Sequence, residues 1–418
     1  MSGRPRERCV VFDVAQGVCE MKISINRDRL LENLRTLGRI GWEEGQGLKR
    51  AAYTQAYNEA RDWLRGKMET AGLKTRVDRV GNLFGRLEGK NRSAILTGSH
   101  LDSVYNGGIY DGPLGIISAL EAIAVIKENG IKTENSIEAV AFIAEEGEPL
   151  GGTFGSRAFA GILPDGYKRD ILKGLGLDDS DIRASKGDLQ NYAAFVELHI
   201  EQGPYLERNG IEIGIPSGIV GISRHNITVR GSANHAGTTP MPERKDALRA
   251  AADIIHDWFK WMDGISDTVC NIGKISALPG HVSVVPEETS FPLEIRSIHD
   301  ESIDKAVRAF ERIAEAHREK PCLVTIDAAD RKSPVLLDER LIDIIRGTAD
   351  AMGLSNVVMP SGASHDTSPI ARVIPAAMIF VPSRGGISHS KDEYTPDENV
   401  ICGAEVLLGS LLNIDRVF

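Results

Sequence analysis

The sequence has few cysteines, no long hydrophobic run and no cluster of basic residues. Its five cysteines are odd in number, widely spaced and free of C-x-x-C pairs, so neither a disulfide framework nor a thiolate zinc site is predicted. No window approaches the roughly 20 apolar residues that a membrane span requires, and the N-terminus lacks the apolar stretch of a signal peptide. We therefore expect no membrane partner and a reducing, cytoplasmic setting.

The charge balance excludes another class of partner. The net charge is −10, and no basic run interrupts the mixed charge pattern. Binding of nucleic acid requires a clustered basic face, so we expect no nucleic-acid partner and a small molecule as the ligand. The chain has 418 residues, more than the roughly 250–300 that one hydrophobic core usually serves, so more than one domain is expected.

Apolar runs alternate with helical patterns in the first half of the chain and near its end. Short runs at residues 94–97, 137–144, 194–200 and 376–381 predict buried strands, and helical periodicity fills the intervals between several of them. Buried strands separated by helices predict an α/β catalytic domain whose mixed, largely parallel sheet is flanked by helices.

The middle of the chain has a different pattern. Its predicted elements follow the order β-α-β-β-α-β, which is typical of a ferredoxin-like α+β unit inserted as one block. We expect residues 1–20 to be a flexible extension, 21–210 and 328–418 to form the catalytic domain, and 211–327 to form the insert.

Four of the predicted strands are followed closely by a histidine or an acidic residue. In α/β sheets ligands bind at the carboxyl ends of the strands, and imidazole with carboxylate suits a divalent metal ion. A single H-x-D triplet is more typical of a loop histidine beside a capping aspartate, but four such strand ends together favour a metal centre. The residues concerned are His100, Asp102, Asp111, Glu145, Glu146, His199 and His389.

These segments resemble a family of metal-dependent amidohydrolases related to aminoacylases and zinc exopeptidases. The motifs GSHLDSVYNGGIYDGPLG, EEGEPLGGTFGSRAFAG, ELHIEQGP, ANHAGTTPMPERKDA and GISHS occur in family order. The resemblance is to the branch of N-carbamoyl-L-amino-acid hydrolases, β-ureidopropionases and allantoate amidohydrolases. It implies a zinc-exopeptidase-like catalytic domain, an inserted lid or dimerisation domain and a homodimer.

The resemblance also implies a ligand set for two divalent metal ions per subunit. Zinc or manganese is expected, and cobalt or nickel also suits a ligand set without sulfur. Asp102 is expected to orient His100, and Glu145 is expected to be the general base. One ion would be held by His100, Asp111 and His199, and the other by Asp111, Glu146 and His389.

Further residues are implied to bind the substrate. His235 would stabilise the oxyanion from the partner protomer, and Arg296 would bind the substrate carboxylate through its guanidinium fork. Gln202 would contact the ureido group, and His365 lies in a loop that would line the pocket. Ser283 stands where close relatives usually carry asparagine. Each of these residues also has a plain structural interpretation, as a loop or strand-end contact.

The leading functional prediction is hydrolysis of the carbamoyl C–N bond of an N-carbamoyl-L-amino acid, which gives the amino acid, carbon dioxide and ammonia. The alternative is hydrolysis of allantoate or another ureido acid. A peptidase or N-acyl aminoacylase is a third choice. An inactive metal-binding scaffold is disfavoured, because the base and all five implied metal ligands are present.

Overall fold

The computed structural model describes residues 23–147, 149–317 and 322–418. The predicted extension, residues 1–20, lies outside this part of the chain. The chain folds into two compact units. The first unit contains the described residues up to Ser217 and those from Leu337 to Phe418, and the inserted unit is Gly218–Leu336. Within the described ranges no helix combines the length and the apolar character needed to cross a membrane.

Helices and strands alternate along most of the chain. The α-helices are α1 (Arg27–Arg39), α2 (Gln55–Thr70), α3 (Pro113–Glu128), α4 (Phe154–Ala160), α5 (Arg169–Gly174), α6 (Asp179–Ala184), α7 (Tyr205–Asn209), α8 (Ala247–Met262), α9 (Asp300–Ala316), α10 (Glu339–Ala351), α11 (Thr367–Ile370) and α12 (Asp397–Val417). The strands are β1 (Trp42–Glu43), β2 (Gly47–Leu48), β3 (Lys74–Val77), β4 (Leu83–Leu87), β5 (Ala94–His100), β6 (Ser136–Phe142), β7 (Tyr192–Ile200), β8 (Ile213–Ile219), β9 (Gly221–Arg230), β10 (Thr268–Asn271), β11 (Ser276–Leu278), β12 (Glu288–Ser297), β13 (Leu323–Lys332), β14 (Val335–Leu336), β15 (Asn356–Ser361) and β16 (Ala376–Val381).

The first unit is built on a mixed sheet with a parallel centre. Its strand order is β8-β16-β7-β5-β6-β4-β3, and β15 pairs with β8. Strands β16, β7, β5 and β6 are parallel to one another, whereas β4, β3 and β8 run antiparallel to their neighbours. The predicted α/β fold with a mixed, largely parallel sheet is confirmed.

The central strands are buried on both faces, which explains their almost continuous apolar sequences. Every residue of β5 and β6 is buried, and helix α3 is buried along most of its length where it packs against β5 and α12. Parallel strands need such helical cover because their connections cross the faces of the sheet. Since β5, β6, β7 and β16 are parallel, their carboxyl ends lie at one edge of the sheet.

The inserted unit has the order β9-α8-β10-β11-β12-α9-β13. Its sheet is antiparallel with strand order β10-β12-β9-β13, and β11 pairs with β12. Helices α8 and α9 bury one face of the sheet through a core that includes Trp258 and Phe310. This is the strand order of a ferredoxin-like unit.

The boundaries of the insert differ from those predicted from the sequence. The inserted unit begins at Gly218 and ends at Leu336, whereas residues 211–327 were expected. The expected end lies inside β13, which stays paired with β9 as far as Lys332. The predicted strand ended at Ile326, whereas β13 continues to Lys332 as an edge strand whose residues after Ile326 are mostly exposed and so show no apolar run.

Gly98, in the middle of β5, provides a test of how closely the central strands are packed. Its φ is +147°, and a Cβ atom at this position would lie 1.9 Å from the carbonyl oxygen of Val140. We expect Gly98→Ala to lower the free energy of unfolding by about 3 kcal/mol or more, through combined overpacking and backbone strain. The measurement is urea unfolding followed by circular dichroism.

Gly130→Ala is the matched control for this substitution. Gly130 also has a positive φ, +65°, but open space surrounds the position of its missing Cβ atom. Gly130→Ala should therefore lower the free energy of unfolding only by the cost of the left-handed backbone conformation, about 1–2 kcal/mol. Equal losses for the two variants would contradict the close approach of β5 to Val140.

Candidate metal centre

The carboxyl edge of the sheet brings together most of the predicted site residues. His100 ends β5, His199 is the penultimate residue of β7, and the remaining residues occupy the loops that follow the strands. The first unit contains His100, Asp102, Asp111, Glu145, Glu146, His199, Gln202, His365 and His389, and the inserted unit contains His235, Ser283 and Arg296.

The carboxylate of Asp111 is the centre of this cluster. Its Oδ1 lies 3.2 Å from Nε2 of His100 and 3.1 Å from Nε2 of His199. Its Oδ2 lies 3.4 Å from Nε2 of His389, which is in turn 3.4 Å from Oε2 of Glu146. Two three-residue groups with the composition of metal sites therefore share Asp111.

The spacing and the orientation of these side chains fit divalent metal ions. Four ligand atoms held 2.0–2.1 Å from a tetrahedral zinc ion lie about 3.3 Å from one another, close to the separations above. Nδ1 of His100 contacts the carbonyl of Asp102 at 3.0 Å, and Nδ1 of His199 contacts that of Ile200 at 2.9 Å. A hydrogen on each Nδ1 leaves the Nε2 lone pair facing Asp111, as in metal-binding histidines.

Several buried polar atoms at this centre lack a hydrogen-bond partner among the described residues. They include Oδ1 of Asp111, Oε1 of Glu146 and Nε2 of His199. Burying such atoms without a partner is costly, and a cation would satisfy all three. His389 is half exposed, so the cluster is open to solvent on that side.

Burial and charge set the protonation of the acidic residues. Burial alone would raise the pKa of Asp111, but the three histidine rings beside its oxygens hold it well below its usual range. Burial raises the pKa of Glu145 well above its usual range, and it raises that of Glu146 to about 7, with Asp111 contributing. A carboxyl group with a raised pKa exchanges its proton closer to neutral pH, which suits a general base.

The structure assigns Asp102 a different contact from the one predicted. Its carboxylate does not reach the imidazole of His100. Instead, Oδ1 and Oδ2 accept hydrogen bonds from the backbone N–H groups of Glu145 and Glu146, each at 3.1 Å. Ala144, the preceding residue, has a left-handed φ of +57°. Asp102 therefore stabilises the strained turn that presents the two glutamates, and only its backbone carbonyl contacts His100.

Gln202 and His365 both lie beside the predicted ligands. The Nε2 amide of Gln202 donates to Oδ2 of Asp111 at 2.7 Å, so this side chain contacts the carboxylate that both possible ligand groups share. His365 is buried with its ring 4.5 Å from that of His199, and its Nε2 contacts the hydroxyl of Ser361 at 3.1 Å. Burial, with His199 contributing, lowers the pKa of His365 well below its usual range, so its ring is neutral.

In the inserted unit, His235 lies in an exposed loop. Its Nδ1 accepts a hydrogen bond from the N–H of Gly237 at 3.0 Å, so the neutral ring carries its hydrogen on Nε2 and can donate it. Arg244 stabilises this loop because its side chain donates hydrogen bonds to the carbonyls of Thr239, at 3.1 Å, and of Ala236.

The other two predicted residues of the inserted unit also have local partners. The hydroxyl of Ser283 contacts Nδ1 of His281 at 2.8 Å. Nε of Arg296 donates to Glu294 at 2.7 Å, a contact that fixes the plane of the guanidinium. Both contacts lie within the inserted unit, and they show how these side chains are held there.

Glu197, Ser388 and Glu393 were not among the site residues predicted from the sequence. Glu197 forms a further possible ligand group with His199 and His365, and its two oxygens also accept hydrogen bonds from Ser99 and Thr367. A charged residue inside the apolar run FVELHI is the signal that predicts such a buried partner.

Comparisons with known proteins agree with this geometry. The parallel-centred sheet carries at its carboxyl edge two groups of side chains that could hold metal ions. The chain belongs to the peptidase family M20/M25/M40, which it matches over residues 96–413. The enzymes of this family are metal-dependent. The predicted resemblance and the prediction of a hydrolase are therefore confirmed.

Individual relatives cover nearly the whole chain. It is 38% identical over 397 residues to an N-carbamoyl-L-amino acid amidohydrolase of Geobacillus stearothermophilus, which covers 92% of this chain and 97% of that protein. It is 36% identical over 409 residues to an allantoate amidohydrolase of Bacillus subtilis, with 94% and 99% covered. A solved amidase of the hydantoinase/carbamoylase family from Burkholderia multivorans has a TM-score of 0.87 and 30% identity, with 94% and 98% covered.

Asp102→Asn tests the role of the Asp102 carboxylate. An asparagine would turn an NH₂ group towards one of the two backbone N–H donors, so the turn at Glu145 and Glu146 should shift. We expect metal affinity or turnover to fall by about 10- to 100-fold, the usual effect of removing a residue that orients a metal ligand. Turnover and zinc titration of the purified variant measure this.

Asp415→Asn is the matched control. Asp415 also accepts hydrogen bonds from two consecutive backbone N–H groups, those of Glu134 at 2.9 Å and Asn135 at 2.6 Å, but it belongs to helix α12. This variant should lose stability and keep its turnover. Equal turnover losses in the two variants would show that Asp102 acts only through the general stability of the fold.

Proposed function

We propose that the protein hydrolyses the carbamoyl C–N bond of an N-carbamoyl-L-amino acid and releases the amino acid, carbon dioxide and ammonia. The observation that carries this proposal is the buried carboxyl of Glu145 beside two ligand groups that share Asp111. The name of the Geobacillus relative supports the carbamoyl substrate. Hydrolysis of allantoate is the second candidate, because the Bacillus relative is almost as similar.

The proposed centre holds two divalent ions, zinc or manganese, and its nitrogen and oxygen donors also suit cobalt or nickel. His100, Asp111 and His199 bind one ion, and Asp111, Glu146 and His389 bind the other. When bound, the ions supply Lewis-acid polarisation of the substrate carbonyl and lower the pKa of the attacking water. A ureido carbonyl needs this help, because both of its nitrogens donate electrons to it and make it a poor electrophile.

Within this centre Glu145 moves the proton. In the proposed reaction its carboxylate takes a proton from the attacking water and then delivers it to the departing nitrogen. The raised pKa of Glu145 supports both steps, because burial makes the group hold a proton more readily than an ordinary carboxyl group does. Asp102 keeps the carboxylate in place through the backbone of the same turn.

The remaining predicted residues recognise the substrate in this proposal. Arg296 binds the substrate carboxylate, for which its guanidinium plane is already held by Glu294. Gln202 and His365 line the pocket on the side of the metal ligands, and Gln202 contacts the ureido group with the oxygen of its amide. Ser283 takes the place of an amide contact and so influences which ureido acid is accepted.

The protein is proposed to act as a cytoplasmic homodimer in which His235 of each subunit donates a hydrogen bond to the oxyanion at the partner's metal centre. The exposed position of His235 and the hydrogen on its Nε2 support this role. Within the described ranges Cys270, Cys322 and Cys402 form no disulfide, which suits a reducing compartment.

The first experiment removes metal with a chelator, restores zinc or manganese separately, and measures ammonia release from the ureido compounds and acetate release from the N-acetyl compounds. The panel contains N-carbamoyl-L-amino acids, allantoate, β-ureidopropionate and N-acetyl amino acids. We expect metal-dependent release from the carbamoyl amino acids. Glu145→Gln should retain the metal and lose about 100- to 10,000-fold in turnover, because the amide cannot accept the proton.

The outcomes separate the candidates. Ammonia release from allantoate alone would agree with the proposed metal centre and would make allantoate, not a carbamoyl amino acid, the substrate. Acetate release from the N-acetyl amino acids, with nothing from the ureido compounds, would move the protein to the aminoacylases. No release with either metal would contradict an amidohydrolase function for these substrates, and full turnover of Glu145→Gln would remove Glu145 as the base.

The shared use of His235 is tested by mixing two inactive subunits. His235→Ala should lower turnover by about 100- to 1,000-fold, the usual loss for an oxyanion donor. Coexpression of His235→Ala and Glu145→Gln subunits with different affinity tags gives a heterodimer in which one site keeps both groups. That heterodimer should regain about half of the wild-type turnover. A heterodimer as inactive as its parents would show that His235 does not serve the partner's site.

A further inference from the structure

Glu393 is a buried acid that the proposed chemistry does not use. It lies in the loop between β16 and α12, and only 5% of its surface is exposed. Its Oε1 accepts hydrogen bonds from the backbone N–H groups of Tyr110, at 3.0 Å, and Asp111, at 3.1 Å. The carboxylate thus holds the backbone of the residue whose side chain lies between both ligand groups.

The second oxygen of Glu393 reaches the side chains of the same centre. Its Oε2 lies 2.9 Å from the hydroxyl of Ser388, and that hydroxyl lies 3.0 Å from Oδ2 of Asp111. Ser388 directly precedes His389. Glu393 therefore connects the loop that carries Asp111 with the loop that carries His389, two segments that are far apart in sequence.

The backbone at Gly108 leaves room for the carboxylate of Glu393. A Cβ atom on Gly108 would lie 2.3 Å from Oε1 and 2.4 Å from Cβ of Glu393, so only glycine leaves room for the side chain. The backbone donors at Tyr110 and Asp111 satisfy Oε1, and the single hydrogen of the Ser388 hydroxyl is shared between Oε2 and Oδ2 of Asp111. A buried carboxylate with all of these hydrogen bonds is held in one position.

We propose that Glu393, acting through Ser388, is the positioning residue that fixes Asp111 for metal binding. This inference rests on the proposed two-metal centre. Asp111 belongs to both ligand groups, so a small rotation of its carboxylate would displace a ligand atom from each ion at once. Residues that orient metal ligands through hydrogen bonds typically change metal affinity by about 10- to 100-fold when they are replaced.

The test measures metal affinity directly, without substrate. Metal-free protein is titrated with zinc in competition with a chromophoric chelator at 25 °C, and the unfolding temperature of each metal-free variant is recorded. Glu393→Gln keeps one oxygen for the backbone donors and replaces the acceptor for Ser388 with an NH₂ group. Ser388→Ala removes the hydroxyl and leaves the contacts of Glu393 with the backbone. Both variants should bind zinc about 10- to 100-fold more weakly than the wild type.

Asp392→Asn is the matched control, because it neutralises an exposed acid in the same loop whose partner is Lys391. It should leave zinc affinity unchanged. Affinities of Glu393→Gln and Ser388→Ala within twofold of the wild type would overturn the inference, even if their metal-free forms unfold at lower temperature. Should Glu393→Gln fail to fold, Ser388→Ala alone decides. Wild-type protein that binds neither zinc nor manganese would overturn the proposed function and with it this role, a result distinct from a change confined to the variants.

Discussion

The burial of the Asp111 carboxylate is the constraint on which the rest of this site depends. A carboxylate removed from water is strongly destabilising unless positive charge or several hydrogen-bond donors surround it. Here His100, His199 and His389 approach its two oxygens, and Gln202 adds an amide donor. These donors come from three different strand ends, so the cluster can form only when the parallel centre of the sheet is complete.

The packing of these side chains around Asp111 also explains why several residues of the site have left-handed backbone conformations. Ala144, Gln202 and His389 all have left-handed φ values, between +54° and +58°, although none of them is glycine. Residues other than glycine adopt this conformation at a cost, and it persists where the surrounding structure over-determines it. Each of these residues either lies among the convergent side chains or directly precedes them, so the strain falls where the chain turns sharply to aim a functional group.

Sequence patterns identified the side chains that the structure brings together around Asp111, because most of them end or follow an apolar run. His199, near the end of a buried strand, and His389, in the loop after another, stand out as polar residues. The contacts that orient those side chains could not be found in the same way. Asp102 accepts hydrogen bonds from backbone N–H groups, which do not depend on residue type. Glu393 accepts one from the backbone of Asp111, a residue far from it in the sequence. Such contacts follow from tertiary folding and leave little local pattern.

The ends of the inserted unit have a consequence for how this kind of protein can diversify. The backbone N–H of Leu337 donates to the carbonyl of Ser217 at 3.0 Å, and Leu336 pairs with Gly218. The chain thus leaves and re-enters the first unit through adjacent backbone positions. A substitute module of another length could be spliced between the same two points without rerouting any strand that carries a metal ligand. Recombination could in this way exchange the inserted unit while the first unit is inherited intact.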